Sequence, residues 1–323
     1  MKSLFIIGNG FDIAHGLNTR YSDFMRYLLQ YETPPQEIFP GWIYTGNMSQ
    51  NDQERHALYN KITKYIPEDE LWMCFEDALG NIDIEQIKED NSCYMLGYGD
   101  ENWRDSANHD YQYMINEELN FTNSITKWFR KWIASINTRV LPKQTIVQMI
   151  GTDDIFLNFN YTDTLERAYG IDEHRIRYIH GKANRGDLLI LGHHDESYFS
   201  KPIDTSKMDE EEYEEYLDYM LSVDVRETEA NEYIEEYFRR TYKDTKAIID
   251  ANYDFFGNLQ DVLVVNVLGH SLSYIDMDYF AVIRNCVGVN CLWNISCFSP
   301  NDFRRANSFV QHLNIQRYNL ITI

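Results

Sequence analysis

The chain is short of positive charge, of cysteine and of long apolar runs, and each shortage narrows what it can be. Lys and Arg number 29 against 51 Asp and Glu, a formal net charge of −22. So acidic a surface repels nucleic-acid backbones and anionic membranes, which argues against general nucleic-acid binding. Only five cysteines occur in 323 residues, Cys74, Cys93, Cys286, Cys291 and Cys297, with no C-x-x-C pair. An odd number without paired spacing gives no disulfide framework and fits a reducing, cytoplasmic setting. The last three fall in one apolar stretch and read as small buried hydrophobes rather than metal ligands. The longest apolar run, Val262 to Leu268, is broken by Asn266 and is far too short to span a membrane. Leu4 to Ile7 is too brief for a secretory leader. No membrane association is expected.

What is present is enough apolar and aromatic side chain, 44% and 15% of residues, to fill a sizeable core. Leu4–Ile7 reads as a buried parallel strand ended by glycine. Further strand signals fall at 154–159, 177–180, 188–191, 261–268, 290–298 and 318–323. Between them lie helical patterns. A helix is expected to start near Thr19 or Ser22, and Leu71–Phe75 to run into another closed by Gly80. Trp72, Phe75 and Glu76 read as core with one polar residue at its edge. Ile125, Trp128, Phe129, Trp132, Ile133 and Ile136 form an apolar stripe at helical spacing. Ser299-Pro300-Asn301-Asp302 opens a last helix. Strands alternating with helices imply an α/β fold with a Rossmann-like, doubly wound parallel sheet. Residues 32–52, rich in Pro, Gly, Asn and Thr, read as a long loop. The expected organisation is an α/β domain over 1–31 and 140–323, a helical insertion over 32–139, and an acidic helical excursion over 200–255. In that excursion Tyr213, Tyr216, Leu217 and Met220 share one face.

Four motifs sit where such sheets place ligands, at the carboxyl ends of strands. Gly8-Asn9-Gly10-Phe11-Asp12 follows the first strand. Its glycines permit a tight turn and close approach to a ligand, so it is either a nucleotide contact or a plain βα turn. Asp12 would repel a phosphate and suits a ribose hydroxyl or a helix cap. The second motif runs from Asn158 to Glu166. Asp163 and Glu166 have capping-box spacing, which leaves Asn160 to position a water or a ribose hydroxyl. The third is His180-Gly181-Lys182, a histidine free to face a ligand or else satisfied by the backbone. The fourth runs from Gly269 through His270 and Ser271 to Asp276. Ser273 and Asp276 again have capping-box spacing, and Gly269 and Ser271 suit a second phosphate or ribose. Gly192-His193-His194-Asp195-Glu196 offers adjacent histidines that point apart, so no metal site is expected. A weaker alternative is a nuclease or phosphohydrolase built on His193, His194, Asp195 and Asp12.

Together the motifs resemble the AbiH family of phage abortive-infection proteins over nearly the whole chain. Ile7-Gly8-Asn9-Gly10-Phe11-Asp12, with His15-Gly16-Leu17 and Tyr21-Ser22-Asp23-Phe24, is the most family-specific stretch. That family is distantly similar to the sirtuin-like NAD-binding fold and its NAD-hydrolysing defence proteins. The resemblance implies that Asn160 and His180 are catalytic. It places Gly8, Asn9, Gly10, Asp12, Asp163, Gly181, Gly269, His270, Ser271 and Asp276 around the ligand. It implies NAD as substrate or ligand, with no further cofactor required. The chain departs from that pattern at Thr162, where those enzymes carry Asp, and in having Tyr274 and Ile275 between Ser273 and Asp276. The paired C-x-x-C zinc site of sirtuin deacylases is absent from the sequence.

The function expected is an anti-phage effector that cleaves NAD+ to nicotinamide and ADP-ribose. The alternative is a non-catalytic NAD or ADP-ribose sensor or interaction module. A constitutive NAD hydrolase would poison its cell, so low basal activity and a gate are expected. The two helical insertions are candidates for that gate and for homo-oligomer or protein-activator contacts.

Overall fold

The computed structural model describes residues 2–66, 75–200 and 204–322. Trp72 and Cys74, and with them the expected helix entry at Leu71–Cys74, lie outside the described residues. So does the side chain of Met220.

The chain divides into two compact units, one of residues 1–27, 127–191 and 243–323, the other of 28–126 and 192–242. These bounds differ from the expected ones. Residues 127–139 group with the sheet, and residues 28–31, 192–199 and 204–242 group with the helical insertion.

The first unit carries a six-stranded parallel sheet. Its strands are β1 (Ser3–Ile7), β4 (Ile155–Asn158), β5 (Ile176–Tyr178), β6 (Val264–Leu268), β7 (Leu292–Ser296) and β8 (Tyr318–Ile321), in the order β5-β4-β1-β6-β7-β8. The chain steps outward from β1 through β4 to β5, then restarts at β6 and steps outward the other way. That is the Rossmann-like order, with its switch point between β1 and β6.

Successive side chains of a strand point to opposite faces, and β1 shows it plainly. Leu4 and Ile6 join one core with Leu157, Val265, Val267, Trp293 and Ile295. Phe5 and Ile7 join the other with Phe11, Phe156, Ile176 and Leu268. A parallel sheet buried on both faces needs such near-continuous apolar strands. The stripe helix, Thr122–Ser135, buries Trp128, Phe129 and Trp132, and Phe129 meets Tyr161 edge-on at 5.0 Å. Cys291 and Cys297 are buried thiols in this unit, and Cys286 is half-buried.

Two expectations fail here. Leu188–Leu191 forms no strand. Leu188 is 83% exposed, and the segment folds over the His180–Gly181 turn, where the Ile190 amide donates to the His180 carbonyl at 3.0 Å. An apolar run without a neighbouring ladder has nothing to make it a strand. Residues 32–52 are not one long loop, because β2 (Gln36–Phe39) and β3 (Trp42–Tyr44) pair antiparallel across Pro40-Gly41. Gly41 takes φ +80°, which the tight turn requires.

The second unit holds that hairpin and a set of helices. Helix Val225–Arg240 packs on helix Ala107–Leu119, with Gln112 donating to Glu229 at 2.8 Å. The Tyr237 hydroxyl donates to the Leu79 carbonyl at 2.9 Å. Phe75 is buried there, as expected. The acidic helix Glu210–Ser222 begins in a true capping box, Asp209 with Glu212, yet Tyr213 and Leu217 of its apolar face remain exposed.

Candidate functional site

Two turns meet at the switch point, and glycine is what lets them meet. The Gly10 amide donates to the Gly269 carbonyl at 2.7 Å, and the Gly8 amide to the Leu268 carbonyl at 3.0 Å. A Cβ on Gly269 would stand 2.0 Å from the Phe11 nitrogen, and Gly269 takes φ +66°. The Gly269 amide in turn donates to Ser296 Oγ at 2.7 Å. The amides of Gly8, Gly10 and Gly269 are therefore all bonded within the protein. The glycines close the β1 and β6 turns on one another. Asn9 is exposed, and its side chain donates to the Thr19 carbonyl at 2.7 Å.

Behind this contact lies a buried carboxyl. Asp12, inside the helix Asn9–Ala14 and so not its cap, is 1% exposed. Thr162 donates its hydroxyl to Asp12 Oδ2 at 2.6 Å, and Thr164 donates to Thr162 at 3.2 Å. Asp12 Oδ1 has no hydrogen-bond partner. Burial pushes this carboxyl up to about 6 against the hydrogen bond from Thr162, with Asp163 adding repulsion. Asn160 completes the group by donating its side-chain amide to the Gly8 carbonyl at 3.1 Å, which ties the end of β4 to the end of β1.

A second polar group surrounds the Phe159 ring. His180 and His270 stand edge-on to that ring, at 5.2 and 4.6 Å between centroids, and Tyr279 at 5.4 Å. His180 is 3% exposed, and its Nε2 is buried without a partner. The ring's one backbone bond, to Phe159, favours the charged form and so runs from Nδ1–H to the carbonyl, leaving Nε2 as a bare acceptor. Burial holds His180 well below the usual imidazole range, and the Lys243 charge lowers it further. His270 Nδ1 accepts from the Leu272 amide at 3.0 Å, so Nε2 carries the proton and faces Asp276 Oδ2 at 3.5 Å. Leu272 takes φ +55°, a strained conformation for a bulky side chain and one that clusters at functional sites. Lys243 is fully buried and donates to Asp276 Oδ1 at 3.0 Å. Although burial opposes it, Lys243, His270 and His180 together hold Asp276 down at about 2.

Two expected capping boxes do not form, although Asp163 and Ser273 hold the N-cap positions. Asp163 bonds instead with Thr138, with Arg167 at 3.2 Å and with Asn184 at 3.3 Å. Burial pushes its carboxyl up, but these bonds outweigh it and hold it below the usual range. Both oxygens are taken, so Asp163 braces the turn. Glu166 accepts from Tyr178 at 2.7 Å and pairs with Lys182 at 2.9 Å. Ser273 likewise makes no capping bond to the turn that starts at Tyr274. Gly181 takes φ +85° with the Leu188 carbonyl 2.4 Å from where a Cβ would be, so it too is a close-approach glycine. Ser271 is exposed.

The strand ends thus bring together Asp12, Asn160, His180, His270 and Asp276. Asn160 and His180 share no hydrogen bond, and Phe159 and Tyr161 flank Asn160 on the side of the imidazole. His193, His194 and Asp195 belong to the second unit. Among the described residues no group of three His, Cys, Asp or Glu side chains is set to hold a metal. No helix there is long and apolar enough to cross a membrane. One member of the site gave no sequence signal: Lys243 is one lysine in a charged stretch.

A family model described as bacteriophage abortive infection AbiH matches residues 4–297. No curated protein and no solved structure matches the chain.

Proposed function

The chain belongs to the bacteriophage abortive infection family AbiH and so has a role in phage abortive infection, and from that premise we propose that it acts by hydrolysing the N-glycosidic bond of NAD+. One observation carries the proposal. Two buried polar atoms, Asp12 Oδ1 and His180 Nε2, lack partners at strand ends of a Rossmann-ordered sheet. Unsatisfied buried polar groups are costly and call for a reason, and a bound ligand supplies one. In the reaction the C1′–N bond breaks and its electron pair neutralises the nicotinamide ring nitrogen. Positive charge grows on the ribose, and the oxygen of a water bonds to C1′. His180 Nε2 takes that water's proton. Asn160 orients the ribose or the water, and the Asp12 carboxylate faces the developing cation. The test is incubation of pure protein with NAD+, with and without phage-infected cell extract, and chromatography for nicotinamide and ADP-ribose. Equal release by His180→Ala and Asn160→Ala overturns the assignment.

A second reading is binding without turnover. The departure at Thr162 favours it, because that hydroxyl is committed to Asp12. Calorimetry that finds ADP-ribose binding with no nicotinamide release distinguishes it.

A further inference from the structure

Lys243 stands out because its ammonium is buried in a position that neither packing nor the NAD reading accounts for. It is 0% exposed and pairs with Asp276 at 3.0 Å. Taking such a pair out of water costs several kcal/mol per ion before their attraction is counted, so a buried pair is weak support for stability. What the pair does have is neighbours. Asp276 Oδ2 faces His270 Nε2 at 3.5 Å, and His270 and His180 both abut the Phe159 ring. The groups facing His180 are Lys243, Asp276, His270 and the rings of Phe159, Tyr161 and Tyr279.

We propose that Lys243 is a positioning residue: by engaging Asp276 it prevents that carboxylate from drawing a proton onto the His180–His270 pair, so that His180 meets its ligand as a neutral proton acceptor. Asp276 alone, beside two imidazoles in a buried site, would form an ion pair with one of them. His270, closest to it, would become an imidazolium. That charge would both disfavour proton uptake at His180 and repel a cationic ligand. With Lys243 in place Asp276 is already compensated, and both rings stay uncharged. The direction agrees with the lowering that Lys243 exerts on each histidine. Because the imidazoles interact, the proton taken up belongs to the pair.

Thr245 supports the same geometry from the chain side. Two residues after Lys243, its hydroxyl donates to Asp278 at 2.5 Å, which pins this segment to the start of the helix Met277–Cys286. Lys243 is thus held to Asp276 by a second tie.

The inference rests on the NAD reading only where activity is measured, and its direct test does not. Nitrogen-resolved NMR of the histidine rings is followed from pH 3 to 9 in wild type, Lys243→Met and the double variant Lys243→Met/Asp276→Asn. In Lys243→Met the pair is expected to take up its proton about one pH unit or more above wild type, roughly a tenfold change in proton affinity. The double variant, with both charges gone, is expected to return toward wild type. If Lys243→Met does not fold, Asp276→Asn alone reports: the pair is then expected to resist protonation at least as strongly as in wild type. Unchanged titration in Lys243→Met, or the same upward shift in single and double variants, overturns the proposal. If wild type also releases nicotinamide, the acidic limb of its pH–rate profile moves up in Lys243→Met. Absence of any nicotinamide release counts against the NAD reading alone.

Discussion

The Thr162 hydroxyl donates to the Asp12 carboxylate at 2.6 Å and so joins the end of β4 to the first helix after β1. An aspartate at 162 would set a second carboxylate against Asp12 in a buried site, where like charges cannot both ionise. Thr162→Asp is therefore expected to fold poorly or to hold a proton between the two carboxyls. Thr162→Val leaves Asp12 without its donor and should cost roughly 1–3 kcal/mol in denaturant unfolding. An unchanged midpoint in Thr162→Val would contradict the contact.

Asp12 gives a pH signature. Its folded value is about 6, against an ordinary 3.8. A carboxyl raised on folding adds stability that is full below the ordinary value and is lost as pH rises through the folded one. Wild type should lose stability between about pH 4 and 6.5, the span between the two values, and Asp12→Asn should not. The rise from 3.8 to about 6 corresponds to a relative gain for Asp12→Asn on the order of 3 kcal/mol at pH 8. Parallel stability curves for the two proteins would show that Asp12 is not the group described.

Gly269 is required by contact as much as by conformation. With φ +66° and the Phe11 nitrogen 2.0 Å from an added Cβ, Gly269→Ala must separate the β1 and β6 turns. A loss of about 3 kcal/mol or more is expected. Gly16→Ala offers the comparison, since its φ is +77° but nothing lies within 4 Å of an added Cβ. It should cost about 1 kcal/mol. Equal midpoints for the two variants would remove the close-approach account.

The sheet was legible because its central strands are short apolar runs ended by glycine or polar turns. β1, β4, β6 and β7 fall where the pattern puts them. The hairpin of β2 and β3 was hidden by Pro40, Gly41 and the polar residues around it, which read as loop. Leu188–Leu191 misled in the opposite direction, since apolar character alone does not supply a partner strand. The helix expected to open at Ser299-Pro300-Asn301-Asp302 does so, with both reciprocal bonds of a capping box. Capping-box spacing was wrong at Asp163 and Asp276, whose carboxylates found distant partners in Thr138 and Lys243. The motif residues placed the site at the strand ends, but the ion pair that charges it joins residues 33 apart in sequence, which no local pattern reveals.

His180 is the test of function. Its Nε2 is bare and buried, and the ring is kept neutral. His180→Ala should lower nicotinamide release by 100-fold or more, on the order expected for loss of a general base, while leaving ADP-ribose binding within about tenfold. Loss of binding and turnover together would assign His180 to the ligand pocket and not to proton transfer.

The most direct measurement follows cellular NAD+ during infection by a phage against which the wild-type protein protects. Cells carrying wild type and cells carrying His180→Ala at equal protein level are compared over one infection cycle. NAD+ is predicted to fall, with nicotinamide and ADP-ribose rising, in the wild-type cells alone, and protection is predicted to be lost with His180→Ala. Protection by the wild type with NAD+ held at its starting level would contradict the account.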